Sequence, residues 1–244
     1  MPYLRAAEIL RRVGDEFPAR ARSPLQRDRH NTPRQDRGAL MPHIDFTAQT
    51  RLVARIAEQV TDEQLGLSTP CPELPVRNLL GHLVGLTEAF RDAARKDLGP
   101  TTDTSPEATV PDIGPGWRDE LSKNLESLAG AWRAPDAWEG FTRAGGVDLP
   151  AEVAGMVAMN ELVVHGWDLA RATGQAYAPD EASLEVSRAL LTPSPPSEDA
   201  SATEEPEVAE SLFGPPVPVP GTAPLLDRVI GLSGRDPGWA APGR

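Results

Sequence analysis

After Pro150 the chain runs to Gly174 with no further proline, in a sequence that holds 26 of them. Asp148 reads as a helix cap and Pro150 as a first-turn proline, where a missing N–H costs nothing. Gly174 reads as the cap at the other end. The helix between them puts Val153, Val157, Glu161, Val164 and His165 on one face. So long an apolar stripe must be covered by other elements, which commits the fold to packing around this helix. The same stripe turns a carboxylate and an imidazole inward, and an unpartnered buried carboxylate is costly. Glu161 and His165 stand four residues apart, about 5–6 Å at Cβ, so both can converge on one ion.

The rest of the chain reads as further helices separated by proline-rich connections. Residues 45–60 set Leu52, Val53, Ile56 and Val60 at helical spacing, and Thr61-Asp62-Glu63 comes next as a turn or new cap. The run Ser68-Thr69-Pro70-Cys71-Pro72-Glu73-Leu74-Pro75 cannot be regular helix, since its prolines remove donors and clash with the preceding turn. From residue 76 to about 96, Leu79, Leu83, Leu86 and Phe90 form an inward stripe with His82 beside them. Residues 99–116 read as a loop, and 117–132 as a helix with Leu121, Leu125 and Leu128 on its apolar face. A short helix over 180–191, a flexible acidic linker over 192–210, an extended segment over 212–220 and a final helix over 224–232 complete the chain. No segment alternates convincingly as a strand, so the expected class is all-α, a bundle with antiparallel neighbours.

Residues 1–40 differ in charge from the rest of the chain. They hold nine Arg against five acids, a local charge of +4, so the remainder carries −16 against a total of −12. They lack the apolar core of a secretory signal and the acid-poor composition of a transit peptide. Met41 opens the first amphipathic segment, and 1–40 is read as a disordered or mis-annotated extension. The expected organisation is then a helical bundle over 41–191, the linker over 192–210, and a segment and helix over 211–244 packing on the bundle.

A net charge of −12 and a pI near 4.8 argue against nucleic acid or an anionic membrane as partner, since both demand basic patches. The single Cys71 cannot form an intramolecular disulfide, and no apolar run approaches the roughly 20 residues that span a bilayer. The expected setting is cytoplasmic, with small molecules or proteins as partners.

His82 is the expected third partner of Glu161 and His165. A divalent ion such as zinc takes His nitrogen and Glu oxygen, and three protein ligands leave a fourth position open for water or substrate. Such an ion lowers the pKa of bound water or thiol. The competing reading is a common i, i+4 helix pair on a solvated face, with His82 a satisfied core histidine. Two observations favour the metal: of four His, His30 and His43 lie in or near the leader, and His82 and His165 both fall on inward faces.

Longer blocks add to this. They are Thr69-Pro70-Cys71-Pro72, Val76-Arg77-Asn78-Leu79-Leu80-Gly81-His82-Leu83, Arg143-Ala144-Gly145-Gly146-Val147-Asp148-Leu149-Pro150, and the run from Glu161 through His165-Gly166-Trp167-Asp168 to Gly174. Together with Ala223-Pro224-Leu225-Leu226-Asp227-Arg228, they resemble an actinobacterial family of metal-binding proteins. That family is related to mycothiol-dependent maleylpyruvate isomerase, within the DinB/YfiT-like superfamily. The resemblance implies an all-α, DinB-like four-helix bundle with an additional C-terminal helix. It implies a divalent metal ion, zinc being the expected one, held by His82, Glu161 and His165. It further implies thiol chemistry, in which the thiol of mycothiol or a similar small thiol ionises on the metal and attacks a small electrophile. The implied partners are therefore a small-molecule thiol and an electrophilic substrate, and homodimers are a common assembly of such bundles. The isomerase has a separate C-terminal α/β domain, whereas a linker and one helix follow the bundle here, so maleylpyruvate itself is not the expected substrate. The alternative is a non-catalytic metal-binding or stress-related interaction protein; a hydrolase using metal-bound hydroxide ranks below it.

Other residues carry two readings each. Cys71, between two prolines, is a fourth ligand or a buried packing residue, with packing favoured. Asp168 orients the imidazole of His165 or pairs along the helix with Arg171. Arg143 binds an anionic substrate group or is a solvated loop charge. Trp117, Trp132, Trp138 and Trp167 are core or pocket walls.

Overall fold

A computed structural model of the chain describes residues 44–105, 110–192 and 215–241. The leader over 1–40 and nearly all of the linker over 192–210 lie outside the described residues.

Helix α1 spans Thr47–Glu58 and α2 spans Val76–Arg95. Helix α3 is a single turn over Pro100–Asp103, within the segment expected as loop. Helix α4 covers Trp117–Ala131, α5 Ala151–Thr173, α6 Glu181–Leu191 and α7 Leu225–Leu232. Each expected helix is present within about two residues of its expected ends, because the apolar spacing and the terminating residues agree. Asp180 caps α6 by accepting from the backbone of Ser183, and Gly174 ends α5 in the left-handed conformation that glycine tolerates.

Four of these helices form the bundle. Helices α1 and α2 each pack on both α4 and α5, so α4 and α5 separate two helices that are consecutive in the chain. Helices α1 and α2, though consecutive in the chain, therefore take α4 and α5 as their main partners. The reason lies in their connection over residues 59–75, which is long enough to carry the chain across the bundle. Two local devices stiffen it. Thr61 and Gln64 form a capping box around a 3-10 turn, and the Thr69 hydroxyl donates to the carbonyls of Cys71 and Leu74.

A correction concerns strands. Phe141–Ala144 (β1) and Val147–Pro150 (β2) form an antiparallel hairpin in the register Phe141↔Pro150 and Ala144↔Val147. Gly145 and Gly146 both have positive φ, 60° and 81°, as a tight two-residue hairpin turn requires. Strands of four residues are too short for alternation to stand out, so the turn is the only local signal. Asp148 thus belongs to β2 rather than to a cap, and Pro150 sits at the boundary immediately before α5. The hairpin is anchored by the Thr142 hydroxyl, which donates to the Ala93 carbonyl at 2.6 Å, and by Gly146 N–H, which donates to the Thr102 carbonyl at 2.8 Å.

The core runs through all four bundle helices, with Val53, Leu79, Leu83, Leu128 and Leu162 fully buried. Helix α5 is buried around nearly its whole circumference, not along one stripe. Helices α1, α2 and α6 and the hairpin all pack on it, which fits a segment apolar on every side. That central position brings Glu161 and His165 face to face with α2.

Candidate metal centre

His82 enters from α2, and Glu161 and His165 enter from α5. The Nε2 atoms of His82 and His165 approach the same oxygen, Glu161 Oε2, at 3.3 and 3.2 Å. One ligand atom from each residue lies within 4.8 Å of the other two. Among the described residues this is the one such grouping of His, Cys, Asp and Glu side chains. The two contacts to Glu161 are of hydrogen-bond length, and the three residues are close enough together to be able to hold a divalent ion. The imidazole rings meet edge to face with centroids 4.8 Å apart, and both Nε2 atoms face Glu161 Oε2.

A further layer fixes the tautomer of His165. Its Nδ1–H donates to Asp168 Oδ2 at 3.0 Å, leaving Nε2 to face Glu161 and His82. Asp168 is completely buried, and Arg235 clamps it with Nε on Oδ1 and Nη2 on Oδ2, each at 3.0 Å. A carboxylate behind a ligand histidine orients the ring and raises its basicity.

The electrostatics follow from these contacts. Burial alone would raise the Glu161 carboxyl pKa, but hydrogen bonds from His165 and His82 override it and hold the carboxyl well below its usual range. Burial likewise opposes charge on His165, yet the hydrogen bonds to Asp168 and Glu161 lift its pKa from 6.5 to about 9. His82 goes the other way, because burial outweighs its bond to Glu161 and keeps it below the ordinary imidazole value. Without an ion, the site thus holds an imidazolium at His165 between two carboxylates and a neutral imidazole at His82.

The remaining candidates resolve by geometry. Asp168 pairs with His165 and Arg235, and not with Arg171, which donates to the backbone carbonyls of Pro237 and Trp239. Cys71 is buried and outside the ligand grouping, and burial pushes its thiol up to about 12, so it stays protonated as a packing residue. Arg143 is committed to Asp148 and Asp103 at 2.8 and 2.9 Å. Trp117, Trp132 and Trp167 are buried, with Trp132 stacked on Phe46 at 5.7 Å, and none of these three, nor Trp138, lines the site.

Arg235 is the residue that pattern reading missed. It lies 67 positions from Asp168, past the last helix, and no periodicity points to so remote a pairing. The only hint was Asp168 itself, a carboxylate on a buried face that needed a cation.

The cluster is not sealed. His82 and Glu161 form part of the wall of a cavity of about 400 Å³, bounded by α2, α3, the hairpin turn and α5. Such a volume lies within the range of small-molecule sites.

Comparison with known proteins identifies the family of the chain. Residues 46–170 match the family model described as the mycothiol maleylpyruvate isomerase N-terminal domain, a range that takes in α1 to α4, most of α5 and all three clustered residues. Two solved structures are similar: a mycothiol-dependent maleylpyruvate isomerase at 21% identity with a TM-score of 0.44, and a point mutant of it at 20% and 0.46. In both cases the likeness covers 60% of this chain and 66% of the isomerase chain, just short of two thirds of its length. No curated protein matches the chain.

Proposed function

Because the chain belongs to the mycothiol maleylpyruvate isomerase N-terminal domain family, we propose that it is a metal-dependent, thiol-using transferase or isomerase acting on a small electrophile. The observation that carries this reading is the convergence of His82, Glu161 and His165 on one point at the edge of a ligand-sized cavity. Zinc is the ion this donor set suits best, and mycothiol is the thiol that the family points to. When bound, the metal supplies a Lewis acid that lets a thiol ionise near neutral pH.

The chain's own residues do the rest. His82 and His165 offer neutral nitrogens, and Glu161 offers one negative charge, leaving a fourth coordination position for the thiol. Asp168 holds the Nδ1–H of His165, so that only Nε2 is free to bind. Burial alone would raise the Asp168 carboxyl, but the charge of Arg235 together with the hydrogen bonds from His165 and Arg235 holds it below its usual range. The cavity beside the cluster gives the electrophile a place to bind next to the ligand residues.

The alternative reading, a metal binder without turnover, differs in one observable. Metal content of the untagged protein, measured by plasma mass spectrometry, is expected near one equivalent and is lost in His82→Ala, Glu161→Ala and His165→Ala. The loaded protein is then expected to conjugate mycothiol to members of an electrophile panel. Full loading with no conjugation points to the non-catalytic binder, and no metal in any preparation removes both readings.

A further inference from the structure

We propose that the cavity beside the metal cluster selects an uncharged, mainly apolar electrophile and rejects a carboxylate such as a dicarboxylic acid. This deepens the thiol-transfer reading and rests on it for the chemistry, but the binding preference stands on the cavity alone.

The walls are the first observation. Leu86, Ala89 and Phe90 of α2, Pro100, Pro111 and Val157 present carbon to the interior. None of the described lining residues is Lys or Arg. Among them, the ionisable group apart from His82 and Glu161 is Glu88, which has the same sign as an anionic substrate. A carboxylate drawn into this space meets like charges at Glu88 and Glu161 and no Lys or Arg among the described wall residues, and placing an unpaired carboxylate away from water is disfavoured.

The nearby cations are the second observation, because a guanidinium one residue outside the wall is able to reach in. Among the described residues, those next to the wall are already paired. Arg143, next to the lining Ala144, bonds Asp148 and Asp103. Arg91, next to Phe90, bonds Asp92 at 2.7 Å and Glu88 at 3.3 Å. Arg77, beside the Pro111 segment, bonds Asp112. The lining hydroxyls are engaged as well: Thr101 donates to Asp92 Oδ2 at 2.8 Å and Thr104 to the Pro100 carbonyl at 2.5 Å. Recruiting any of these for a substrate carboxylate breaks an existing pair, so the gain is largely cancelled.

The site's own charge is the third. Glu161 and an ionised thiol together offset the two positive charges of a divalent ion, which leaves little net field to attract an anion.

The reaction that fits is addition of thiol to a neutral electrophilic carbon. For an epoxide, the sulfur–carbon bond forms as the ring carbon–oxygen bond breaks, and the oxygen takes up the proton that the thiol gave up. Atoms and electrons balance without any oxidant or reductant.

The test uses a matched pair of aryl epoxides differing by one para-carboxylate, together with their unreactive diols. Calorimetric binding of the diols to the full-length protein, without metal and with zinc and mycothiol together, is expected to favour the neutral diol at least tenfold in both states. Mycothiol conjugation is expected to keep the same order in kcat/KM. Glu88→Arg places a cation at the half-exposed rim, and is expected to improve binding of the carboxylated diol about tenfold; Glu88→Gln is expected to improve it less. Equal or tighter binding of the carboxylated diol by the parent protein overturns the proposal, as does failure of both diols to bind. Tight binding of the neutral diol with no conjugation sinks the thiol reading and leaves the cavity's preference standing.

Discussion

At the scale of single residues, the metal-free site is a chain of alternating charge: Arg235, Asp168, His165 and Glu161, with neutral His82 closing it. An ion can enter only by taking the place of the Nε2 proton of His165, since Nδ1–H is held by Asp168. Metal loading is therefore expected to release about one proton at pH 7, with the release falling away above pH 9. Calorimetric titration in buffers of different ionisation enthalpy measures this directly, and zero protons at pH 7 would refute the assignment. The same group sets a stability trend. A folded-state pKa raised from 6.5 to about 9 means that the imidazolium's contribution is fully present below 6.5 and is lost as pH rises through 9. His82, with a lowered pKa, acts in the opposite sense and only below its ordinary value. Chelated protein should thus lose thermal stability between pH 6.5 and 9, by an amount on the order of a few kcal/mol. A flat melting temperature across that window contradicts the charge assignment.

At the scale of elements, the helices were legible because each satisfies several local rules at once. Helix α5 has apolar residues at helical spacing and a glycine just past its end, and its ligands fall out of the same period that buries Val157 and Val164. The hairpin was not legible, because two four-residue strands are shorter than any pattern that would reveal them. The diagonal placement of α1 and α2 was not legible either, since it depends on which faces meet across the bundle. The segment after Val110 belongs to the same class. It presses against α2 at Gly81, where an added Cβ would stand 2.7 Å from the Asp112 backbone. Arg77 and Asn78, one turn earlier, tie that segment down through Asp112 and the Pro111 carbonyl. Gly81→Ala is expected to push the segment off the helix, destabilising the protein by about 1–3 kcal/mol and weakening ligand binding in the cavity that Pro111 helps to line. Gly85, on the same helix, has nothing within 4 Å of its added Cβ. Gly85→Ala is expected to stabilise by up to about 1 kcal/mol, through helix propensity. Thermal unfolding of the pair separates a packing role at Gly81 from a general aversion of α2 to substitution.

At the scale of the whole molecule, the C-terminal segment is more than a cover for the bundle. Helix α7 packs on α6, and α6 on α5, and the chain then turns back to place Arg235 on Asp168 while Arg171 holds the carbonyls of Pro237 and Trp239. The segment after α7 therefore reaches the ligand cluster from behind, through His165. A buried ion pair is weak evidence of stabilisation in itself, but removing one partner strands a buried charge. Arg235→Met alone is expected to cost about 3–5 kcal/mol, and Asp168→Leu alone a comparable amount. Replacing both with apolar residues is expected to restore most of that stability, because no charge is left stranded. Metal affinity should behave differently. The double variant still lacks the acceptor for His165 Nδ1–H, so zinc affinity is expected to remain about 10–100-fold below the parent. Unfolding and competitive zinc titration on the three variants distinguish the roles. If affinity recovers along with stability, the pair serves only to hold the C-terminal segment in place. If stability recovers and affinity does not, the segment orients a metal ligand, and this end of the chain is part of the site.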